Sequence, residues 1–225
     1  VVEHNPADLT ATVRAGTTVS ALQEVLAGHG QFVALDPPLA DRATLGGTLA
    51  VGLSGPMKWH YGSPRDVVIG MAVAQIDGKL TRSGGQVVKN VSGYDMSRLH
   101  IGGLGTLGVI AEVSLKLTPL PSSSKTVLAT FDGPEGSLGA ALDIFGGHVV
   151  PLSLAAFDEG ADRLMNGDRG DGTHHLAVGL GGRPLTLERQ VREITSACSR
   201  HDARRTDTLD GDEAGALWRS VSDFG

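Results

Sequence analysis

Residues 9–14, Leu-Thr-Ala-Thr-Val-Arg, alternate and are β-prone, which predicts a strand. After Gly16 the apolar period lengthens. Val19, Leu22, Val25 and Leu26 then share one face of a helix that Thr17 or Thr18 caps and that Gly28 and Gly30 end. Residues 31–35 return toward the sheet, and Asp36-Pro37-Pro38 breaks regular structure. The run Thr44–Ser54 is rich in small residues, with glycines at 46, 47 and 52, and predicts a short helix that a ligand can approach closely. Gly55-Pro56 opens a loop through Tyr61-Gly62-Ser63-Pro64. Val67–Ile76 reads as a buried strand, Asp77-Gly78 as a two-residue hairpin and Lys79–Arg82 as the return strand. Gly84-Gly85 starts a second glycine loop, and the stretch from Val91 to Gly103 contains a short helix. Val109, Ala111, Val113, Leu115 and Leu117 alternate with Glu112, Ser114 and Lys116, predicting a strand with one apolar face; Pro119 and Pro121 end it.

Ser122-Ser123-Ser124 follows this completed strand and reads as a domain boundary. Beyond it the pattern gives a strand near 125–131, a helix near 134–146, a strand near 149–157, a polar Gly/Asp loop over 166–172, a strand near 174–181 and a helix over 184–200. That order, β-α-β-β-α, suits a small ferredoxin-like sandwich. The expected class is therefore α+β in two parts, residues 1–121 and residues 122–225.

With 225 residues, 40% hydrophobic and 20% charged, the chain can bury a real core and is not a disordered tail. The formal net charge of -6 and the lack of a basic stripe argue against nucleic acid as a partner. The densest basic stretch, Arg200–Arg205, reads as a solvated helix end. No apolar run approaches the ~20 residues of a bilayer span, and no signal peptide is read after Val1. Cys198 is the only cysteine, so neither an internal disulfide nor a cysteine-ligated cluster is expected, and a reducing compartment is the simple reading. Glycine, at 32 residues, is abundant and aromatics are few, which fits backbone that must lie close to other backbone or to a ligand.

Gly103-Leu104-Gly105-Thr106-Leu107-Gly108 matches G-x-G-x-x-G. A dinucleotide fold needs those glycines between a strand and a helix, so that the helix N-terminus faces the pyrophosphate. Here they precede an alternating strand, and a Rossmann site is rejected. The same glycines could present bare backbone to a flat ring system, or simply make a tight sheet turn. Thr44-Leu45-Gly46-Gly47 could place successive N–H groups around a pyrophosphate, or simply start a capped helix.

Order adds what the single motifs lack. Pro37-Pro38, Thr44–Ala50, Tyr61-Gly62-Ser63-Pro64-Arg65-Asp66-Val67, Val88–Asp95 and Gly102–Ile110 follow one another in a series that resembles the FAD-binding PCMH-type, or vanillyl-alcohol oxidase, superfamily. Val88–Asp95 resembles its glycolate oxidase and D-2-hydroxyacid dehydrogenase branch, nearest to the small FAD-binding subunit of bacterial glycolate oxidase. The resemblance covers residues 1–120 well and 125–225 weakly. It implies FAD as cofactor, a PCMH-type FAD-binding domain over 1–121 lacking its N-terminal part, and a cap or substrate domain over 122–225 incomplete at its C-terminus. It places Pro37, Thr44, Gly46, Gly47 and Thr48 along pyrophosphate and ribitol, and Gly52, Ser54, Gly62, Ser63 and Asp66 along the cofactor. Gly105, Gly108, Val109 and Ile110 fall near the ribityl chain, the ring or the adenine. The implied activity is oxidation of a 2-hydroxy acid, glycolate to glyoxylate, with electrons passing to an iron–sulfur subunit beside a larger FAD subunit. The implied place is the cytoplasm, with the partner subunits able to hold the protein peripherally at the inner membrane. The alternatives are a non-catalytic FAD-binding or scaffold subunit, and a relative acting on a sugar or aromatic alcohol. The family's substrate histidine motif is not found, and no catalytic base is assigned.

The remaining polar residues read as structural. His174 and His175 are neighbours on a strand and point to opposite faces, so they cannot share one ion, and no metal site is expected. His60, next to Tyr61-Gly62, is a candidate for covalent flavin attachment but reads better as a loop histidine. Cys198 reads as a packed or half-exposed thiol and Asp168 and Asp171 as turn residues. Ser54 lacks the spacing of a nucleophile elbow.

Overall fold

The computed structural model describes residues 1–85, 95–166 and 173–224. Most of the Val88–Asp95 motif, and Asp168 and Asp171, lie outside the described residues. The chain forms two compact units, Val1–Leu120 and Pro121–Gly225. Both mix helices with antiparallel sheet, so the α+β class holds.

In the first unit β1 (Glu3–Asn5), β2 (Thr10–Arg14), β4 (Val68–Ala74), β5 (Leu80–Gly84) and β6 (Val109–Lys116) make an antiparallel sheet in the order β1-β2-β6-β4-β5. β3 (Gln31–Phe32) pairs with β7 (Thr118–Pro119). Helices α1 (Val19–Ala27) and α2 (Leu45–Val51) bring Leu22, Leu26, Leu45 and Leu49 into one cluster with Val13, Val113 and Leu115 of the sheet. Each such fully buried side chain contributes about 1.5–3 kcal/mol. Three single-turn helices follow: α3 (Lys58–Tyr61), α4 (Pro64–Val67) and α5 (Ser97–His100).

Thr18 caps α1, its side chain accepting from the Ala21 N–H, and the buried positions are Val19, Leu22 and Leu26. Val25 is 47% exposed and does not belong to the buried face. It sits beside that face at the edge of a narrow apolar stripe, where one position more or less cannot be told from periodicity. A larger correction concerns β6. Val113, Leu115 and Leu117 are buried as expected, but Ala111 is exposed and Val109 is 69% exposed, while Ile110 is buried. The cause is a bulge. Ala72 pairs with Glu112 and Val73 with Ile110, so Ala111 is the extra residue and the alternation changes phase across it.

The second unit is a four-stranded antiparallel sheet in the order β11-β8-β10-β9, from β8 (Ser123–Phe131), β9 (Ser153–Asp158), β10 (His174–Gly182) and β11 (Arg205–Leu209). Helices α6 (Pro134–Gly146) and α8 (Pro184–Arg200) pack Ala140, Ile144, Leu187, Ile194 and Cys198 against Val127, Phe131, Leu176 and Val178 of one sheet face. α7 (Glu159–Asn166) follows β9. α9 (Gly211–Asp223) reaches the other face, where the Trp218 indole N–H donates to Thr126 Oγ1 at 2.8 Å. A Cβ at Gly179 would collide with the Ser153 side chain and lie 3.2 Å from that ring.

Candidate functional site: a glycine-lined cradle around helix α2

Thr44 starts α2 in extended backbone, and its hydroxyl accepts the Gly47 N–H at 3.2 Å. The first turn is tied to the end of β2: Leu45 N–H donates to Thr17 O and Gly46 N–H to Ala15 O, both at 2.8 Å. Gly46 is required by this packing, because a Cβ would stand 2.7 Å from that of Ala15. Gly46 and Thr48 are buried and Gly47 is exposed, so Gly47 presents the open side of this turn. The α2 C-terminus is held differently. Gly52 caps it in the left-handed region (φ 75°) and approaches Gly102 so closely that a Cβ would lie 3.1 Å from the Gly102 Cα. Gly102 N–H donates to Leu49 O at 3.0 Å and Leu104 N–H to Ala50 O at 2.8 Å.

The loop from Gly102 to Gly108 is thus docked on α2. Gly102 and Gly105 have φ of 79° and 71°, and a Cβ on either would meet nothing within 4 Å. Their peptide groups border open space. Gly108 is confined instead, a Cβ there lying 2.7 Å from Val73 Cγ1 and 2.9 Å from Ala74 O. The glycines lead into β6 and open no helix, as the rejection of a Rossmann site requires.

The segment after α2 completes the neighbourhood. Asp36, just before the buried Pro37, spans to it: its two carboxylate oxygens accept the N–H groups of Gly55 (2.9 Å) and Met57 (2.8 Å). Phe32 meets Tyr61 edge to face at 5.4 Å. Gly62 turns with φ 85° into α4, where Asp66 Oδ2 accepts both the Ser63 N–H (2.7 Å) and the Ser63 hydroxyl (2.8 Å). Those bonds, the hydroxyl's first, hold the Asp66 carboxyl below its usual range. Arg65 Nη2 reaches Ile101 O at 3.5 Å, next to the docked loop.

The sequence-predicted residues therefore fall into three kinds. Gly47, Gly52, Ser54, Gly105 and Val109 lie at exposed or half-exposed points around α2. Thr44, Gly62, Ser63 and Asp66 are spent on local caps and turns that shape the same region. Pro37, Gly46, Thr48, Gly108 and Ile110 are packed inside or confined, and support it from behind. The segments 44–52, 54–66 and 101–110 form one connected neighbourhood, not separate surfaces. Asp36 and Gln23 were missed by the sequence reading. Gln23 holds the segment before Asp36, with Val33 N–H donating to its Oε1 and its Nε2 donating to Val33 O. An Asp before two prolines facing a later Gly-Pro was the available signal for the first; a lone Gln on an amphipathic helix gives none.

The neighbourhood fits a flavin nucleotide on two counts. Bare, left-handed backbone at Gly102 and Gly105 adjoins open space. Large apolar side chains stay exposed beside it, namely Val51, Leu53, Leu104, Leu107 and Val109. Polar peptide edges next to uncovered apolar surface match a ring that is flat and apolar with a polar rim.

The comparisons agree. Residues 1–84 match the FAD binding domain family, which supports FAD as the cofactor. Over 218 residues the chain is 30% identical to "Glycolate oxidase subunit GlcD" of Bacillus subtilis (strain 168), covering 95% of this chain and 46% of that protein. Over 184 residues it is 35% identical to "Glycolate oxidase subunit GlcE" of Escherichia coli (strain K12), covering 67% of this chain and 53% of that protein. The resemblance to glycolate oxidase subunits read from the sequence therefore holds, although the chain spans only about half the length of these curated relatives. A solved alkyldihydroxyacetonephosphate synthase shares the fold, with a TM-score of 0.80 at 18% identity over 100% of this chain and 45% of that one.

Elsewhere, a cavity of about 520 Å³ in the second unit is lined by Ser137, Leu138, Phe157, Asp158 and His174 among others, and by none of the predicted cofactor residues. His175 is held by Thr130 and Thr173 at 3.3 and 3.1 Å and stacks on Phe157. His60 is exposed and its ring meets Tyr61 at 4.5 Å. Cys198 is fully buried, and burial pushes its thiol up to about 11. No described helix is long and apolar enough to cross a membrane.

Proposed function

We propose that the chain is the FAD-binding part of an FAD-linked oxidoreductase subunit that oxidises a 2-hydroxy acid, with glycolate to glyoxylate as the reaction. The observation that carries the reading is the joining of α2, the Gly52–Ser63 segment and the Gly102–Gly108 loop into one bare-backbone cradle beside exposed apolar side chains. The names of the relatives supply the substrate class: glycolate for two of them, and D-2-hydroxyglutarate and D-lactate for others. FAD, when bound, supplies the acceptor for the hydride on the hydroxyl-bearing carbon, leaving a keto or aldehydo acid.

The chain's own residues bind and orient the cofactor. Gly47 offers the open side of the α2 N-terminal turn to pyrophosphate. Gly52, Ser54, Gly62 and Ser63 run along the nucleotide, and Gly105 and Val109 lie toward the ring or the adenine. Pro37, Thr44, Gly46, Thr48, Asp66, Gly108 and Ile110 hold those elements in place. The second unit, residues 122–225, acts as the cap domain that meets the substrate. Reduced flavin must pass its electrons on. One cysteine cannot ligate a cluster, so an iron–sulfur subunit, beside a larger FAD subunit, is the proposed partner. These subunits would hold the protein in the cytoplasm, peripherally at the inner membrane.

The test uses the full-length protein. It should purify with, or take up, one FAD and show the bands of oxidised flavin, and with its partners it should reduce a dye when given glycolate. A full-length protein that binds no FAD overturns the reading. One that binds FAD without supporting any dye reduction in the complex is a non-catalytic subunit.

A further inference from the structure

Asp36 bonds no described strand; its partners are Gly55 and Met57, the residue that caps the single-turn helix α3. Its two oxygens bracket the turn after α2, one on the Gly55 N–H and one on the Met57 N–H. The approach depends on glycine at the far side: a Cβ on Gly55 would lie 2.5 Å from Asp36 O and 2.6 Å from the carboxyl group. Asp36 is itself held. The Gln23 side chain grips both the N–H and the C=O of Val33, Leu35 N–H donates to Val33 O at 2.8 Å, and Pro37 and Pro38 restrict the chain beyond. A rigid segment thus carries one carboxylate to a turn that has glycine at its centre.

We infer that Asp36 is a positioning residue for the cofactor: through Gly55 and Met57 its carboxylate sets the course of residues 52–62. This inference rests on the FAD reading above, which lays those residues along the nucleotide. Stability alone does not explain the group. Burial raises the Asp36 carboxyl above its usual range in spite of the two backbone bonds, so holding the charge there works against the fold. The turn gains a fixed path, with Gly52 anchored on Gly102 at one end and Tyr61 on Phe32 at the other.

The experiment compares full-length wild type with Asp36→Asn and Gly55→Ala. FAD titration and the visible circular dichroism of bound flavin are read beside the urea midpoint of the FAD-free protein. Asp36→Asn keeps the shape but loses one acceptor, and should weaken FAD binding about tenfold. It should also change the flavin dichroism, and the loss of FAD affinity should exceed what any change in the FAD-free urea midpoint accounts for. Gly55→Ala displaces the carboxylate from the other side and should give the same altered spectrum, and the double variant should bind no more weakly than the weaker single one. Wild-type affinity and dichroism in Asp36→Asn overturn the inference. So does a loss of FAD affinity that only follows a fall in the urea midpoint. Wild type that takes up no FAD overturns the underlying reading, and the inference with it, and is told apart by needing no variant.

Discussion

The two units use glycine and backbone differently. In the first, eleven described residues have φ in the left-handed half of the map, among them Leu9, Leu39 and Leu104; in the second there are three. The first also has three helices of one turn, whereas α6, α8 and α9 have 13, 17 and 13 residues. The second unit follows the two regular periods, and its energy lies in side chains interlocked between sheet and helix. The first trades regular structure for peptide groups aimed at particular places. Such unusual backbone concentrates where a ligand must be approached closely.

The comparison can be broken most sharply in the second unit's core. Phe131→Ala removes a ring that is only 1% exposed, and should cost about 3–5 kcal/mol in urea unfolding. A small loss would mean that this core is loose and that the contrast with the first unit is false. Next come two glycines of the cradle. Gly52→Ala meets both a left-handed φ and the Gly102 backbone and should cost about 2–3 kcal/mol; Gly105→Ala has the same handedness in open space and should cost about 1–2 kcal/mol. Equal losses would show that close approach at Gly52 does not matter.

The smallest effect is a pH dependence. The Asp36 carboxyl is raised above its ordinary value of 3.8 in the folded chain, burial being the main cause. The folded state then holds that proton more tightly than the unfolded chain, so stability falls as pH rises through the interval from 3.8 to the raised value. Asp36→Asn cannot show this fall. The stability of wild type relative to that variant should therefore be lower at pH 7 than at pH 4. A relative stability that rises with pH would mean that the backbone bonds outweigh burial.

The same contrast explains what could be read in the sequence. The predicted helices at 134–146 and 184–200 coincide with α6 and α8, because each opens with Pro and carries one apolar stripe. α7, β11 and α9 were not anticipated. α7 is short and polar and α9 buries only Leu217, although Asp210 followed by Asp212 and Glu213 marks a usable helix start. In the first unit the sheet was legible except for the edge strand β1, which was not anticipated, and where the bulge at Ala111 shifted β6. The cradle was legible only as an ordered series of glycine segments, since nothing local says that Gly52 will touch Gly102 or that Asp36 will reach Gly55. Those are contacts between distant stretches, and propensity carries no record of them.

The extra residue in β6 has a consequence for how this strand can change over time. Ala111 works as a phase shifter. Downstream of it Val113, Leu115 and Leu117 keep step with the buried layer, while upstream Val109 is freed to look outward. Substitutions on the outward side can be tried without disturbing the inner rhythm. Deleting the inserted residue would leave Ile110 inward and Val109 outward in an unbroken alternation, whereas straightening the strand with the residue kept would turn Ile110 out and Val109 in, so this position should tolerate deletion better than any change that forces the bulge flat.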